Sequence, residues 1–180
     1  MLQFELEGRA VLDLFAGSGQ LGLEALSRGA ARATMIDASR EAVDVIIENA
    51  KKTHLFDKCR VSCADFTSFI RGAAGRETYD IVFLDPPYAA GLMPEALRKL
   101  ADAGLFAVGA AVVCETDTGT DARPSRRRIS SEEREAAEAA AVMQDVFGND
   151  GALAARFSVE KTVTYGRARI TILRPSEREA

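Results

Sequence analysis

Between Ala10 and Thr116, short runs rich in apolar and β-branched residues alternate with longer amphipathic stretches, the pattern of a parallel sheet with helices on its faces. The pattern predicts strands at Ala10–Phe15, Arg32–Asp37, Arg60–Ala64, Tyr79–Asp85 and Ala111–Thr116. Helices are predicted at Gly19–Arg28, Ser39–Thr53, Asp65–Arg71 and Gly91–Ala101. Ser39 suits an N-cap, and Ala42, Val43, Ile46, Ile47 and Ala50 recur with the 3.6-residue period that puts them on one helix face.

The pattern changes at Asp117–Ser131, which is rich in Thr, Gly, Arg, Ser and Asp and reads as an exposed connection. Ser130 and Glu133 form a capping-box pair ahead of an Ala/Glu-rich stretch, predicting a helix over Ser131–Phe147. Phe157–Thr164 and Arg167–Arg174 flank the dipeptide Tyr165-Gly166, predicting an antiparallel hairpin. Five parallel strands and this hairpin give an α/β fold with a seven-stranded open sheet, and a length of 180 residues fits one domain, 1–180, with 117–156 as an insertion in it.

Composition narrows the class. Apolar residues make up 47% and charged residues 28%, which excludes collagen-like, disordered and disulfide-scaffold chains. The longest nearly apolar run, Leu105–Cys114, is too short to span a bilayer, so no membrane partner is expected. Glu5 and Glu7 precede any basic residue, unlike a secretory signal, and the expected compartment is the cytoplasm. Cys59, Cys63 and Cys114 form no C-x-x-C pair and His54 is the single histidine, so no metal site of Cys and His is expected. Cys59 and Cys63, four apart on a strand, are expected to be buried thiols, and His54 a structural residue near a helix end.

The net charge of −4 argues against nucleic acid, but its distribution tempers this. Residues 1–122 hold 12 Lys/Arg against 18 Asp/Glu, and residues 123–180 hold 11 against 9. Because exposed charges are screened beyond about 8 Å at physiological salt, a local basic patch at Arg123, Arg126, Arg127 and Arg128 can bind phosphate on an acidic protein. A solubilising loop is an equal reading of the same arginines.

Candidate chemistry begins where the first strand runs into Asp13-Leu14-Phe15-Ala16-Gly17-Ser18-Gly19-Gln20-Leu21-Gly22. Gly17, Gly19 and Gly22 match a G-x-G-x-x-G turn, with Asp37 placed to take ribose hydroxyls at the end of the second strand. Asp13 bears on the choice of cofactor: a carboxylate beside this turn repels a pyrophosphate but favours the ammonium and sulfonium of S-adenosylmethionine. A turn acid that only caps the next helix is the alternative. Asp65, ending the third strand, can accept an adenine amino group or serve as an N-cap.

The fourth strand ends in Asp85-Pro86-Pro87-Tyr88. Two prolines offer no amide donors and hold their neighbours extended, so the corner exposes acceptors only. The Asp85 carboxylate and the Pro86 carbonyl can hold both hydrogens of an exocyclic amine while Tyr88 stacks on the base. An aromatic amine gains positive charge as it attacks a methyl group, so fixed acceptors favour the transition state over the ground state.

The strings VLDLFAGSGQLGLEALSRGA, FLDPPY and VTYGRARITILR resemble the bacterial 16S ribosomal RNA guanine-N2 methyltransferases. The resemblance covers residues 10–117 and 158–174 and implies a Rossmann-like class I S-adenosylmethionine-dependent methyltransferase with a mostly parallel seven-stranded sheet. It implies that Asp13, Gly17 and Gly19 hold the methionine part of S-adenosylmethionine, Asp37 the ribose, and Asp65 with Phe66 the adenine; Phe15 and Ala38 complete the cofactor set. Asp85, Pro86, Pro87 and Tyr88 would hold a target guanine in ribosomal RNA or the small subunit. Members of that family carry some tens of residues ahead of the first strand, including an Arg-Pro-Thr stretch, where about ten stand here. The Asp-Pro-Pro-Tyr corner is shared with DNA adenine-N6 methyltransferases, which stay open as an alternative. A non-catalytic S-adenosylmethionine-binding module and, more remotely, an NAD-dependent enzyme are the others.

Overall fold

A computed structural model describes residues 5–87, 91–119 and 130–176. The elements are β1 (Ala10–Asp13), α1 (Gln20–Ser27), β2 (Arg32–Asp37), α2 (Arg40–Lys52), a 3-10 turn (Phe56–Lys58), β3 (Cys59–Cys63), α3 (Phe66–Ala73), β4 (Tyr79–Leu84), α4 (Leu92–Asp102), β5 (Phe106–Asp117), α5 (Ser131–Asp145), α6 (Gly151–Ala154), β6 (Phe157–Tyr165) and β7 (Ala168–Pro175). The strands form one seven-stranded sheet in the order β3-β2-β1-β4-β5-β7-β6. β1 to β5 pair in parallel, and β7 pairs antiparallel with both β5 and β6.

Both faces of the sheet are covered because its central strands are apolar at nearly every position, and alternate residues serve opposite faces. Val11, Ala33, Met35, Ile81, Phe83 and Val113 pack with Leu23 and Leu26 of α1 and Ile46 of α2. Leu12, Ile36, Val82, Leu84, Val112 and Cys114 pack with α3 and α4 on the other face, joined by Val142 of α5 and Leu153 of α6. Each large side chain fully buried in these layers, such as Leu12, Leu97 or Leu173, contributes about 1.5–3 kcal/mol relative to exposure.

The helix ends follow local chemistry. The Ser39 hydroxyl accepts from the Ala42 amide to start α2. At α5 the capping box is complete, with the Glu133 amide donating to Ser130 Oγ and the Ser130 amide to Glu133 Oε2.

Several boundaries differ from the sequence expectation. β1 stops at Asp13 and β4 at Leu84, because Leu14 and Asp85 already belong to the connections. β5 begins at Phe106, five residues early, since a register irregularity after Tyr79 and the left-handed Gly109 interrupt its alternation. The hairpin turn is Gly166-Arg167: Tyr165 pairs with Ala168, and the first turn position takes the positive φ that glycine tolerates. α6 and the 3-10 turn were not expected. Cys114 is buried, but Cys59 is half-buried and Cys63 exposed, because β3 is an edge strand. His54 is exposed at φ +57° beyond the end of α2, and its amide donates to the Lys51 carbonyl.

Candidate active site

The chain steps outward from β1 to β3 and then returns to the other side of β1 with β4, so β1 and β4 bound the switch point of the sheet. Connections leaving the carboxyl ends of these strands diverge there and open a crevice. A cavity of about 490 Å³ occupies it, lined by Phe15 and Gly17 after β1, Asp37 and Ala38 after β2, Ala64 to Phe66 after β3, and Asp85 to Pro87 after β4.

The glycine turn is fastened across the sheet. The Leu14 amide donates to the Phe83 carbonyl, the Ala16 amide to the Ile36 carbonyl and the Gly19 amide to the Ala16 carbonyl. Gly17 and Gly19 take φ of +52° and +78°, values that a side chain disfavours. Asp37 locks the same loop, its Oδ2 accepting the Gly17 amide and its Oδ1 the Ser39 amide, both at 2.8 Å. Each carboxylate oxygen has a further lone pair, so these bonds leave capacity for hydroxyl donors.

Asp13 stands behind this loop rather than on the cavity wall, and it is 1% exposed. Its Oδ2 accepts the Gly22 amide at 3.1 Å, and its Oδ1 has no hydrogen-bond partner among the described residues. Burial pushes its pKa up to about 7 against the pull of the Gly22 amide, with the charges of Asp85 and Asp37 adding to the rise. Gly19 is likewise outside the lining; a Cβ there would meet Ile46 and Met35 at 3.1–3.3 Å, so it permits close packing of α1 on α2 and β2.

Asp65 caps α3, its Oδ1 accepting the Ser68 amide at 2.9 Å, and this bond holds its carboxyl below the usual range. The capping role and a place on the cavity wall therefore coexist at one residue. Phe66 follows it and packs against Phe15 with ring centroids 5.4 Å apart and planes tilted by 48°, giving the crevice an apolar aromatic side.

Opposite, Asp85 is half-buried, and burial followed by the nearby charge of Glu115 raises its pKa to about 6. Pro86 is buried and Pro87 exposed, so the corner presents a carboxylate and carbonyls with no amide donor at either proline. Tyr88 and Arg123, Arg126, Arg127 and Arg128 lie outside the described residues. Leu14, Ala64 and Leu92 also line the cavity and were not singled out from sequence, nor was Glu115 beside Asp85. Glu115 carries no local sequence signal: Leu84 pairs with Cys114, so Asp85 and Glu115 come side by side only once β4 and β5 are paired. Among the described residues no group of three or more His, Cys, Asp or Glu could hold a metal ion, and no helix is long and apolar enough to cross a membrane.

A family model described as Conserved hypothetical protein 95 matches residues 1–143. The chain belongs to that family. A curated relative, ribosomal RNA small subunit methyltransferase D of Escherichia coli (strain K12), is 42% identical over 106 residues, which cover 59% of this chain and 52% of the relative. The chain thus spans about half the length of such relatives. A solved conserved hypothetical protein from Streptococcus pyogenes superposes with TM-score 0.70 at 27% identity, covering 96% of this chain and 89% of its own. SMU.776, solved as a complex with SAH, shares the fold at 15% identity with TM-score 0.64, covering 94% of this chain and 46% of its own. The fold of this Conserved hypothetical protein 95 member is that of the class I S-adenosylmethionine-dependent methyltransferases, with β7 reversed in the sheet.

Proposed function

We propose that this domain, residues 1–180, is a methyltransferase that uses S-adenosylmethionine to methylate the exocyclic N2 of a guanine in small-subunit ribosomal RNA, in the cytoplasm. The observation that carries the reading is that one cavity is lined both by the glycine turn with Asp37 and by the Asp85-Pro86-Pro87 corner. A donor site and an amine-gripping site therefore share a single space.

The residues present fit S-adenosylmethionine better than a dinucleotide. Asp37 puts negative charge at the glycine turn, Asp13 adds to it once ionised, and the partnerless Asp13 Oδ1 is an acceptor in need of a donor. A pyrophosphate there would meet like charge, whereas an ammonium would be stabilised. Asp37 would take the ribose hydroxyls, Asp65 the adenine amine, and Phe15 with Phe66 the apolar face of the adenine. Bound so, S-adenosylmethionine supplies an electrophilic methyl carbon.

At the corner, the Asp85 carboxylate and the Pro86 carbonyl accept the two N2 hydrogens and aim the nitrogen lone pair across the cavity. As N2 acquires charge these acceptors bind it more strongly, and the Asp85 carboxylate takes the proton that N2 releases. With its pKa raised to about 6, Asp85 is ionised at neutral pH and is a better base than an ordinary Asp. Turning the base out of its stack would bring N2 to the corner.

The ribosomal reading is supported by the identity to the Escherichia coli relative and by the motifs at Asp13–Gly22 and Asp85–Pro87. Arg123, Arg126, Arg127 and Arg128 would then contact RNA phosphates, and replacing all four would reduce the salt dependence of RNA binding. Radiolabelled methyl transfer tests the function: label should enter unmodified small subunits and not duplex DNA. Label in DNA adenine instead would favour the adenine-N6 alternative, and cofactor binding without any transfer the non-catalytic one.

A further inference from the structure

A second cavity of about 250 Å³ adjoins the Pro86-Pro87 corner. Pro86, Pro87 and Leu92 line both spaces, so a base held at the corner has this chamber beside it. Its polar wall comes from Glu115, Thr116 and Asp117 at the end of β5 and from Gln144 and Asp145 of α5. On that wall Arg167 holds Asp117 at 2.6 Å, and Arg169 holds Asp145. Glu115 is the one next in register to Asp85, since Leu84 and Cys114 pair immediately before them.

On the guanine edge, N2–H2 and N1–H are adjacent donors. On adenine, the amine is followed by N1 as a bare lone pair. A carboxylate next to the amine-gripping corner therefore accepts from guanine N1–H but faces the adenine lone pair with like polarity. We propose that Glu115 is a specificity residue, accepting the guanine N1–H from the second cavity and excluding purines that lack it. This inference rests on the guanine-N2 reading above. The proximity of the two carboxylates also appears in the raised pKa of Asp85, for which Glu115 is the named charge.

The contact can be isolated with 2-aminopurine, which keeps the N2 amine but carries a lone pair at N1. Small subunits are reconstituted with guanine or 2-aminopurine at the methylated position, and kcat/KM is measured for the full chain and for Glu115→Gln. The wild type should prefer guanine by at least about 10²-fold, as expected for a site built around a particular hydrogen bond. Glu115→Gln, whose amide can donate to N1, should bring the ratio to within about tenfold while S-adenosylmethionine affinity is unchanged. Equal wild-type rates on the two bases would overturn the contact without any variant, and so would undiminished discrimination by Glu115→Gln. No methylation of guanine N2 by the wild type would instead overturn the guanine reading itself, and this inference with it.

Discussion

The Gly22 amide donates to Asp13 at 3.1 Å and satisfies one oxygen of a carboxylate that is otherwise sealed from solvent, leaving the other without a partner. A buried acid in that state stays neutral until about pH 7. An ammonium brought near it would favour the ionised form. Binding of S-adenosylmethionine below pH 7 should therefore release a proton, and affinity should fall as the pH drops from 7 towards 5.5, with a slope that steepens to at most about tenfold per pH unit. Calorimetry in buffers of different ionisation enthalpy reads the proton directly, and Asp13→Asn should remove the Asp13 share of it, leaving only the weaker dependence from Asp85. Without ligand the sign on stability is opposite. Protonated Asp13 is favoured by the fold, so its destabilising effect is absent at low pH and grows as pH rises from the ordinary aspartate value of 3.8 to about 7.

Asp37 joins two loops through the Gly17 and Ser39 amides, and the proposed cofactor would add its ribose to the same oxygens. Asp37→Ala should weaken S-adenosylmethionine binding by about 10–100-fold, the effect of losing a charge-assisted hydrogen bond or two. Activity at saturating cofactor should be kept. Titration calorimetry checks the first outcome and saturation kinetics the second; unchanged affinity would contradict the ribose assignment.

In the proposed reaction Asp85 would act on the amine rather than on the donor. Asp85→Ala removes a fixed acceptor and should lower kcat by about 10²-fold or more, roughly 3 kcal/mol of transition-state stabilisation, with little change in cofactor affinity. Single-turnover methyl transfer with saturating components separates this from a binding defect.

Gly22 has a structural duty as well as its bond to Asp13. A Cβ at this position would lie 2.7 Å from Met35 Cγ and Sδ, in the seam between α1 and β2. Gly22→Ala should destabilise the fold by about 1–3 kcal/mol through overpacking. Urea denaturation measures the loss, and in a double-mutant cycle with Met35→Ala the further cost of Gly22→Ala should shrink, because that space is then free.

The parallel half of the sheet was readable because both faces of its central strands are buried, so β1, β2, β4 and most of β5 carry dense apolar runs between amphipathic helices. The glycine turn, the Pro-Pro corner and the Ser130–Glu133 cap were readable because each depends on backbone chemistry confined to a few residues. What escaped depended on partners distant in sequence. Val108, 87% exposed, and Gly109 mask the start of β5, and Cys63 is exposed because β3 has no neighbour beyond it. Glu115 showed no local motif; it gained meaning only when strand pairing set it beside Asp85. Asp65 was readable in both senses at once, as a cap and as a residue of the cavity wall.

The central claim is that a cationic methyl donor and a guanine amine meet between the glycine turn and the Asp85 corner. Its most direct test is nucleoside mass spectrometry of unmodified small subunits after incubation with the full-length protein and S-adenosylmethionine, beside the Asp85→Ala variant. The account predicts N2-methylguanosine with the wild type and a strong loss with the variant. N6-methyladenosine, or N2-methylguanosine at equal rates from both proteins, would contradict it.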